Sequence, residues 1–178
     1  NIKDLTKVSE KCWRMEGSRM FIQEGKRVSI EDLMRGMIVQ SGNDAACALA
    51  EHIAGTQEDF ASLMNDYAQR MELRNTNFTN PTGLPNVNHY STAEDIARLS
   101  KFLINDFPEE YSIYSEKEFT FNDIRQLNRN SLLWQDDSID GIKTGHTRAS
   151  GYCLVASSKR ADMRSVSYTH LRAHETPE

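Results

Sequence analysis

The sequence predicts an α/β domain in which a cluster of helices packs with an antiparallel sheet. Capped apolar segments at helical spacing run from Ser29 to Pro108, and β-leaning stretches follow from Glu118 onward. There is no internal repeat, which excludes a solenoid.

Each element has a local cause. Ser29, with Asp32 three residues later, forms a capping box that opens a helix running through Val39. Leu33, Met34, Met37 and Ile38 share one face of it. Gly42 interrupts, and a second helix runs from Asp44 to Ala54, where Gly55 stops it. Thr56 and Asp59 repeat the capping signal, and Phe60, Leu63, Met64, Tyr67 and Met71 mark the core face of a third helix. Asn75–Tyr90 is a loop by composition, rich in asparagine and punctuated by Pro81, Gly83 and Pro85. Ser91 and Glu94 open a fourth helix that ends before Pro108, with Ile96, Leu99, Phe102 and Leu103 facing inward. Glu118–Phe121 is a short strand. Beyond the acidic turn Asp136-Asp137, Ile139–Thr144 and Gly151–Ser157 read as adjacent strands joined by a tight turn.

Composition narrows the function. With 38% hydrophobic and 26% charged residues, the 178-residue chain fits one globular domain or part of one. A net charge of -5 offers no basic stripe for phosphates, so no nucleic-acid partner is expected. No apolar run approaches the roughly 18 residues of a membrane span. The chain opens at Asn1-Ile2-Lys3 without an initiator methionine, so the lack of a signal peptide carries no information. Cys12, Cys47 and Cys153 are an odd number without close spacing, which predicts neither a disulfide framework nor a zinc site; Cys47, among alanines, reads as a small buried apolar residue. No metal and no cofactor is expected.

Two short motifs carry the chemistry. Ser41-Gly42-Asn43 follows the apolar segment Leu33–Val39 and precedes a helix, and Lys143-Thr144-Gly145 opens an apolar strand region. Lys-Thr-Gly arises by chance in roughly one chain in fifty of this length, and Ser-x-Asn in roughly one in three. By itself, Ser-Gly-Asn is most often a turn and helix cap, and Lys143 a solvated strand end. Their order, spacing and setting favour a shared site. A penicillin-recognising serine site has a third motif, Ser-x-x-Lys. No serine here has a lysine three residues later.

Over Val28–Arg164 the chain resembles the low-molecular-mass penicillin-binding proteins, the serine D-alanyl-D-alanine carboxypeptidases of enterobacterial type. The likeness lies in Leu33-Met34-Arg35-Gly36, Gln40-Ser41-Gly42-Asn43-Asp44-Ala45, Glu110-Tyr111-Ser112-Ile113-Tyr114 and Glu118-Phe119-Thr120-Phe121-Asn122. It continues through Ile124-Arg125-Gln126-Leu127-Asn128-Arg129-Asn130 and Asp140-Gly141-Ile142-Lys143-Thr144-Gly145-His146-Thr147. This resemblance implies a partial β-lactamase/transpeptidase-like domain acting on peptidoglycan stem peptides and β-lactams in the periplasm. Inner-membrane association would come only through a missing C-terminal anchor.

The resemblance also implies roles. Ser41 would relay a proton towards the leaving amine, and Asn43 would hold the substrate amide and the base lysine. Lys143 and Thr144 would receive the substrate carboxylate, Gly145 would let substrate lie against the strand, and His146 would shape the far side of the cleft. Arg129 either reaches the site or braces a loop, while His52 and His89 read as surface or packing residues. Asp4-Leu5-Thr6-Lys7 has the outline of the missing motif but carries a carboxylate in place of the hydroxyl, and it lies too close to Ser41. The nucleophile helix is therefore expected upstream of Asn1, outside this sequence.

At the other end, Val166-Ser167-Tyr168-Thr169-His170-Leu171-Arg172-Ala173-His174-Glu175-Thr176 resembles one reading frame of a sequencing adapter. Residues 1–165 are thus expected to be the partial catalytic domain and 166–178 a non-native tail, and the i, i+4 pair His170 and His174 is set aside with it. Two other readings compete: a serine β-lactamase, for which no glutamate near Asn80-Pro81-Thr82-Gly83-Leu84 supplies a convincing deacylating carboxylate, and a non-catalytic wall-binding remnant.

Overall fold

The computed structural model describes residues 1–171. The chain order is β1 (Leu5–Lys7), α1 (Glu10–Trp13), β2 (Arg27–Ser29), α2 (Ile30–Val39), α3 (Asn43–Ala54), α4 (Gln57–Arg70), α5 (Ala93–Asp106) and α6 (Pro108–Tyr111). The hairpin β3 (Glu118–Phe121) and β4 (Ile124–Leu127) follows, then β5 (Ile139–Thr147), β6 (Gly151–Arg160) and β7 (Met163–Leu171). Pairing is antiparallel throughout, as β1-β2, β3-β4 and β5-β6-β7. This is the expected helical cluster with an antiparallel sheet.

The predicted caps are in place. Ser29 Oγ accepts from the Asp32 N–H at 3.0 Å and donates to the Asp32 carboxylate at 2.7 Å. Thr56 does the same for Asp59. The cap of α5 is shifted by one residue: Thr92, not Ser91, accepts from Asp95 N–H. Leu33 and Ile38 are buried, with Met34 and Met37 packed against them, so α2 uses the predicted face.

Other expectations need correction. Tyr67 on α4 and Phe102 on α5 are exposed, while the apolar residues that α4 buries are Ala61 and Ala68. The strand β4 was not foreseen; Asn122 and Asp123, both at positive φ, supply its two-residue hairpin turn. Cys12 and Cys47 form a disulfide across 35 residues, with Cα atoms 5.3 Å apart. Sequence spacing did not reveal the pair because the partners are distant in the chain and meet only where α1 lies on α3. Asp4 and Lys7 flank or end the exposed strand β1, so Asp4-Leu5-Thr6-Lys7 forms no helix.

The expected boundary at Ser165 falls inside β7, since Val166–Leu171 continue the pairing with β6. From Met163 to His170 only Arg164 and Val166 are partly covered, so this edge strand is held mainly through its backbone. His174 and the rest of 172–178 lie outside the described residues. Among the described residues no helix is long and apolar enough to cross a membrane.

Candidate active site

The first wall of the site is the turn between α2 and α3. After Gln40 the chain passes through Ser41 at φ 60°, the left-handed region that costs a non-glycine residue roughly 1 kcal/mol or more. Gly42 N–H then donates to Gly36 C=O at 2.9 Å, which closes the turn and starts α3 at Asn43. Asn43 is buried: its backbone N–H donates to Ser18 C=O at 2.8 Å and its Nδ2 to Glu16 C=O at 2.7 Å. A side chain at Gly17 would place its Cβ 2.8 Å from that amide nitrogen, so only glycine fits there. Asn43 therefore faces the protein with its nitrogen, and its side-chain oxygen is the atom left for a ligand.

Asp44, which the sequence did not single out, anchors the same turn. Its buried carboxylate accepts from the backbone N–H groups of Met20, Phe21 and Ile22 at 2.9, 3.0 and 3.2 Å, and from Ala45 at 2.9 Å. Four donors on one carboxylate tie the segment ahead of Ile22 to the first turn of α3.

The second wall is β5. Lys143 Nζ donates to Ser41 Oγ in a close contact and to Thr144 C=O at 3.1 Å. The two motifs, 102 residues apart, meet side chain to side chain. Burial, and secondarily the charge of Arg129, lower the Lys143 pKa from 10.5 to about 8. Lys143 is thus no solvated strand end. Arg129, left open by the sequence, stands at the site: its Nε donates to Gln40 C=O at 3.2 Å. Two asparagines fix its loop, with Asn128 Nδ2 donating to Glu116 C=O at 2.9 Å and Asn130 Nδ2 to Gly141 C=O at 3.1 Å. The Asn128-Arg129-Asn130 triplet was the available signal.

The remaining motif residues lie further along β5. Thr144 is half-buried, while Gly145 and His146 are exposed. Gly145 pairs with Cys153 on β6, where a Cβ would come no nearer than 4.0 Å, so the strand face is open to an extended ligand. The His146 ring lies 4.2 Å from that of its cross-strand partner Tyr152. Behind the strand, Asp140 bonds Tyr111 Oη at 3.0 Å and Arg164 Nη1 at 2.9 Å. Burial pushes the Asp140 carboxyl up, but those donors outweigh it and hold it below its ordinary value.

Away from the site, His89 Nδ1 accepts from Thr79 N–H at 3.2 Å and burial lowers its pKa, which fits a packing role; His52 is exposed. Among the described residues one group of potential metal ligands converges, Cys12, Cys47 and Glu51, and the disulfide occupies both sulfurs. Two surface cavities of about 390 and 420 Å³ lie at the C-terminal end of α4, the second between that end and α5, and include none of the motif residues.

A family profile described as D-alanyl-D-alanine carboxypeptidase matches residues 1–170. The chain belongs to this family. It is 50% identical over 169 residues to D-alanyl-D-alanine carboxypeptidase DacA of Haemophilus influenzae, covering 92% of this chain and 43% of that protein. It is likewise 50% identical over 173 residues to DacC of Escherichia coli, covering 93% and 43%. Among solved structures, penicillin-binding protein 5 from Haemophilus influenzae superimposes with a TM-score of 0.92 at 49% identity, over 95% of this chain and 51% of that one. The chain thus spans less than half the length of these curated relatives.

Proposed function

We propose that this carboxypeptidase-family chain carries the substrate-side half of a serine D-alanyl-D-alanine carboxypeptidase site. The reaction removes the terminal D-alanine of peptidoglycan pentapeptides, and β-lactams compete for the same groups. The observation that carries the reading is the direct contact of Lys143 with Ser41, which joins both motifs into one polar cleft wall. In the acyl transfer, a serine hydroxyl attacks the terminal peptide carbonyl, the D-alanine amine leaves with a proton, and water later releases the acyl group. The attacking serine belongs to a Ser-x-x-Lys motif, which these 178 residues do not contain.

The residues present divide the remaining work. Protonated Lys143 attracts the substrate carboxylate, with Thr144 beside it. Ser41 Oγ, bonded to Lys143, passes a proton towards the leaving amine. Asn43 offers its side-chain oxygen to the substrate amide, and Gly145 lets the peptide lie along β5. His146, tilted against Tyr152, bounds the far side, and Arg129 adds positive charge next to Lys143. The expected setting is the periplasm, with inner-membrane association supplied by an anchor outside these residues. Residues 1–165 represent the native catalytic portion in this reading and 166–178 a non-native tail.

Two assays test it. The 178-residue chain incubated with benzylpenicillin should keep its mass, since it has no nucleophile to acylate; a penicilloyl adduct on Ser41 would overturn the division of roles. In a gene product that joins Ser-x-x-Lys to this sequence, Lys143→Ala should slow acylation far more than Lys143→Arg. A hydrogen bond to a charged group contributes ~1.5–3 kcal/mol, so alanine should lose roughly tenfold to a hundredfold. Equal rates for wild type and both variants would leave Lys143 without a catalytic part, as a strand-end lysine only.

A further inference from the structure

The Cys12–Cys47 disulfide joins two segments that both lead into the Ser41–Asn43 turn. Cys47 lies on α3 one turn beyond Asn43, and Cys12 lies on α1, four residues before Glu16, whose carbonyl accepts from Asn43 Nδ2. Helix α1 has four residues, too few to persist alone. Between Arg14 and Ile22 the chain makes no strand ladder. Its backbone is held by Asn43, by the Asp44 carboxylate, and by Gln126 Nε2 donating to Met20 C=O at 3.1 Å. Met20 is seated against α2, where a Cβ at Gly36 would lie 2.2 Å from its sulfur. The segment is thus a collar around the start of α3, and the disulfide closes it at its free side.

We propose that oxidation of Cys12 and Cys47 is a maturation step that fixes this collar and, through it, the Ser41–Asn43 turn. Both cysteines are 0% exposed, so the bond must form before the collar has closed over them. One thiolate attacks a disulfide-bearing oxidant to give a mixed disulfide, and the other displaces it; two protons and two electrons leave the chain, and the oxidant departs as a dithiol. Cys153, 141 residues from Cys12 by number and on β6, takes no part. The step makes a finished site dependent on an oxidising compartment, a consequence that rests on the carboxypeptidase reading; the structural claim does not.

The test uses the 178-residue chain itself. Alkylation after unfolding without reductant should label one thiol, Cys153, and after reduction all three. Amide exchange read by mass spectrometry should then separate local from global effects. With the pair reduced, peptides covering residues 15–22 and 41–47 should exchange at least ~10-fold faster, while those from β5 and β6 change less than ~2-fold. The double variant Cys12→Ala/Cys47→Ala should reproduce the pattern without reductant, and oxidised glutathione should restore protection to the reduced wild type only. Labelling of three thiols in the unreduced chain would overturn the proposal. Unchanged exchange at the collar would do the same, as would uniform acceleration or unfolding of the whole chain in both preparations, which would make the bond a general staple.

Discussion

At the scale of single residues, the caps of α2 and α4 and the anchor of the Ser41–Asn43 turn all rest on one carboxylate or hydroxyl meeting backbone N–H groups. Ser29 with Asp32, and Thr56 with Asp59, were readable in the sequence because a side chain three residues away meets an unpaired N–H by geometry alone. Asp44 was not, because its partners Met20, Phe21 and Ile22 lie 22 to 24 residues earlier and are brought to it only by folding. The same distance hid the Cys12–Cys47 bond, and Arg129 could be placed only once its loop was seen to be pinned by Asn128 and Asn130. Asp44 lends itself to a stability test. Asp44→Ala should leave four N–H groups, those of Met20, Phe21, Ile22 and Ala45, without their acceptor and cost roughly 3–5 kcal/mol, and Asp44→Asn, which keeps one acceptor oxygen, should cost less. Urea unfolding measures both. A loss under ~1 kcal/mol for alanine would mean that the collar is held by other contacts.

At the scale of elements, hydrophobic period identified α2, α3, β5 and β6, and the errors fell on partly buried elements. On α4 and α5, Tyr67 and Phe102 at core spacing are exposed while Ala61, Ala68 and Ser100 are buried, since period alone does not say which part of an apolar stripe is covered. The hairpin strand β4 carries Arg125 and Gln126 and was too polar to read as a strand. Its pairing follows from turn chemistry at Asn122-Asp123. The last strand poses the opposite question, since Val166–Leu171 fall in the segment proposed above as a non-native tail and yet pair with β6 through the backbone. Backbone pairing tolerates foreign side chains, which keeps a non-native tail compatible with an ordered edge. Replacing Val166, Ser167, Tyr168 and His170 by threonine should therefore shift the melting temperature by no more than ~4 °C. A drop beyond ~10 °C would show that these side chains are integral to the domain.

At the scale of the whole molecule, the family was legible from the motifs and their surroundings, and the profile match over residues 1–170 agrees with it. Order, spacing and setting favour a shared site for Ser41 and Lys143, but a 102-residue separation carries no contact geometry of its own. The fold answers by setting β5 alongside the turn that ends α2. Burial there lowers the Lys143 pKa from 10.5 to about 8, with Arg129 contributing. The sign follows directly. Between those two values the unfolded chain binds the extra proton, so stability rises as pH climbs from about 8 to 10.5, while the charge available to a carboxylate ligand is lost over the lower part of that window. Whether the two motifs form one partly desolvated site can be read from this lysine alone. Carbon-13 NMR of the lysine Cε signals, assigned with Lys143→Arg, should show Lys143 titrating near 8, apart from the other lysines. A midpoint at the ordinary 10.5 would place Lys143 in open solvent and contradict the assembled site.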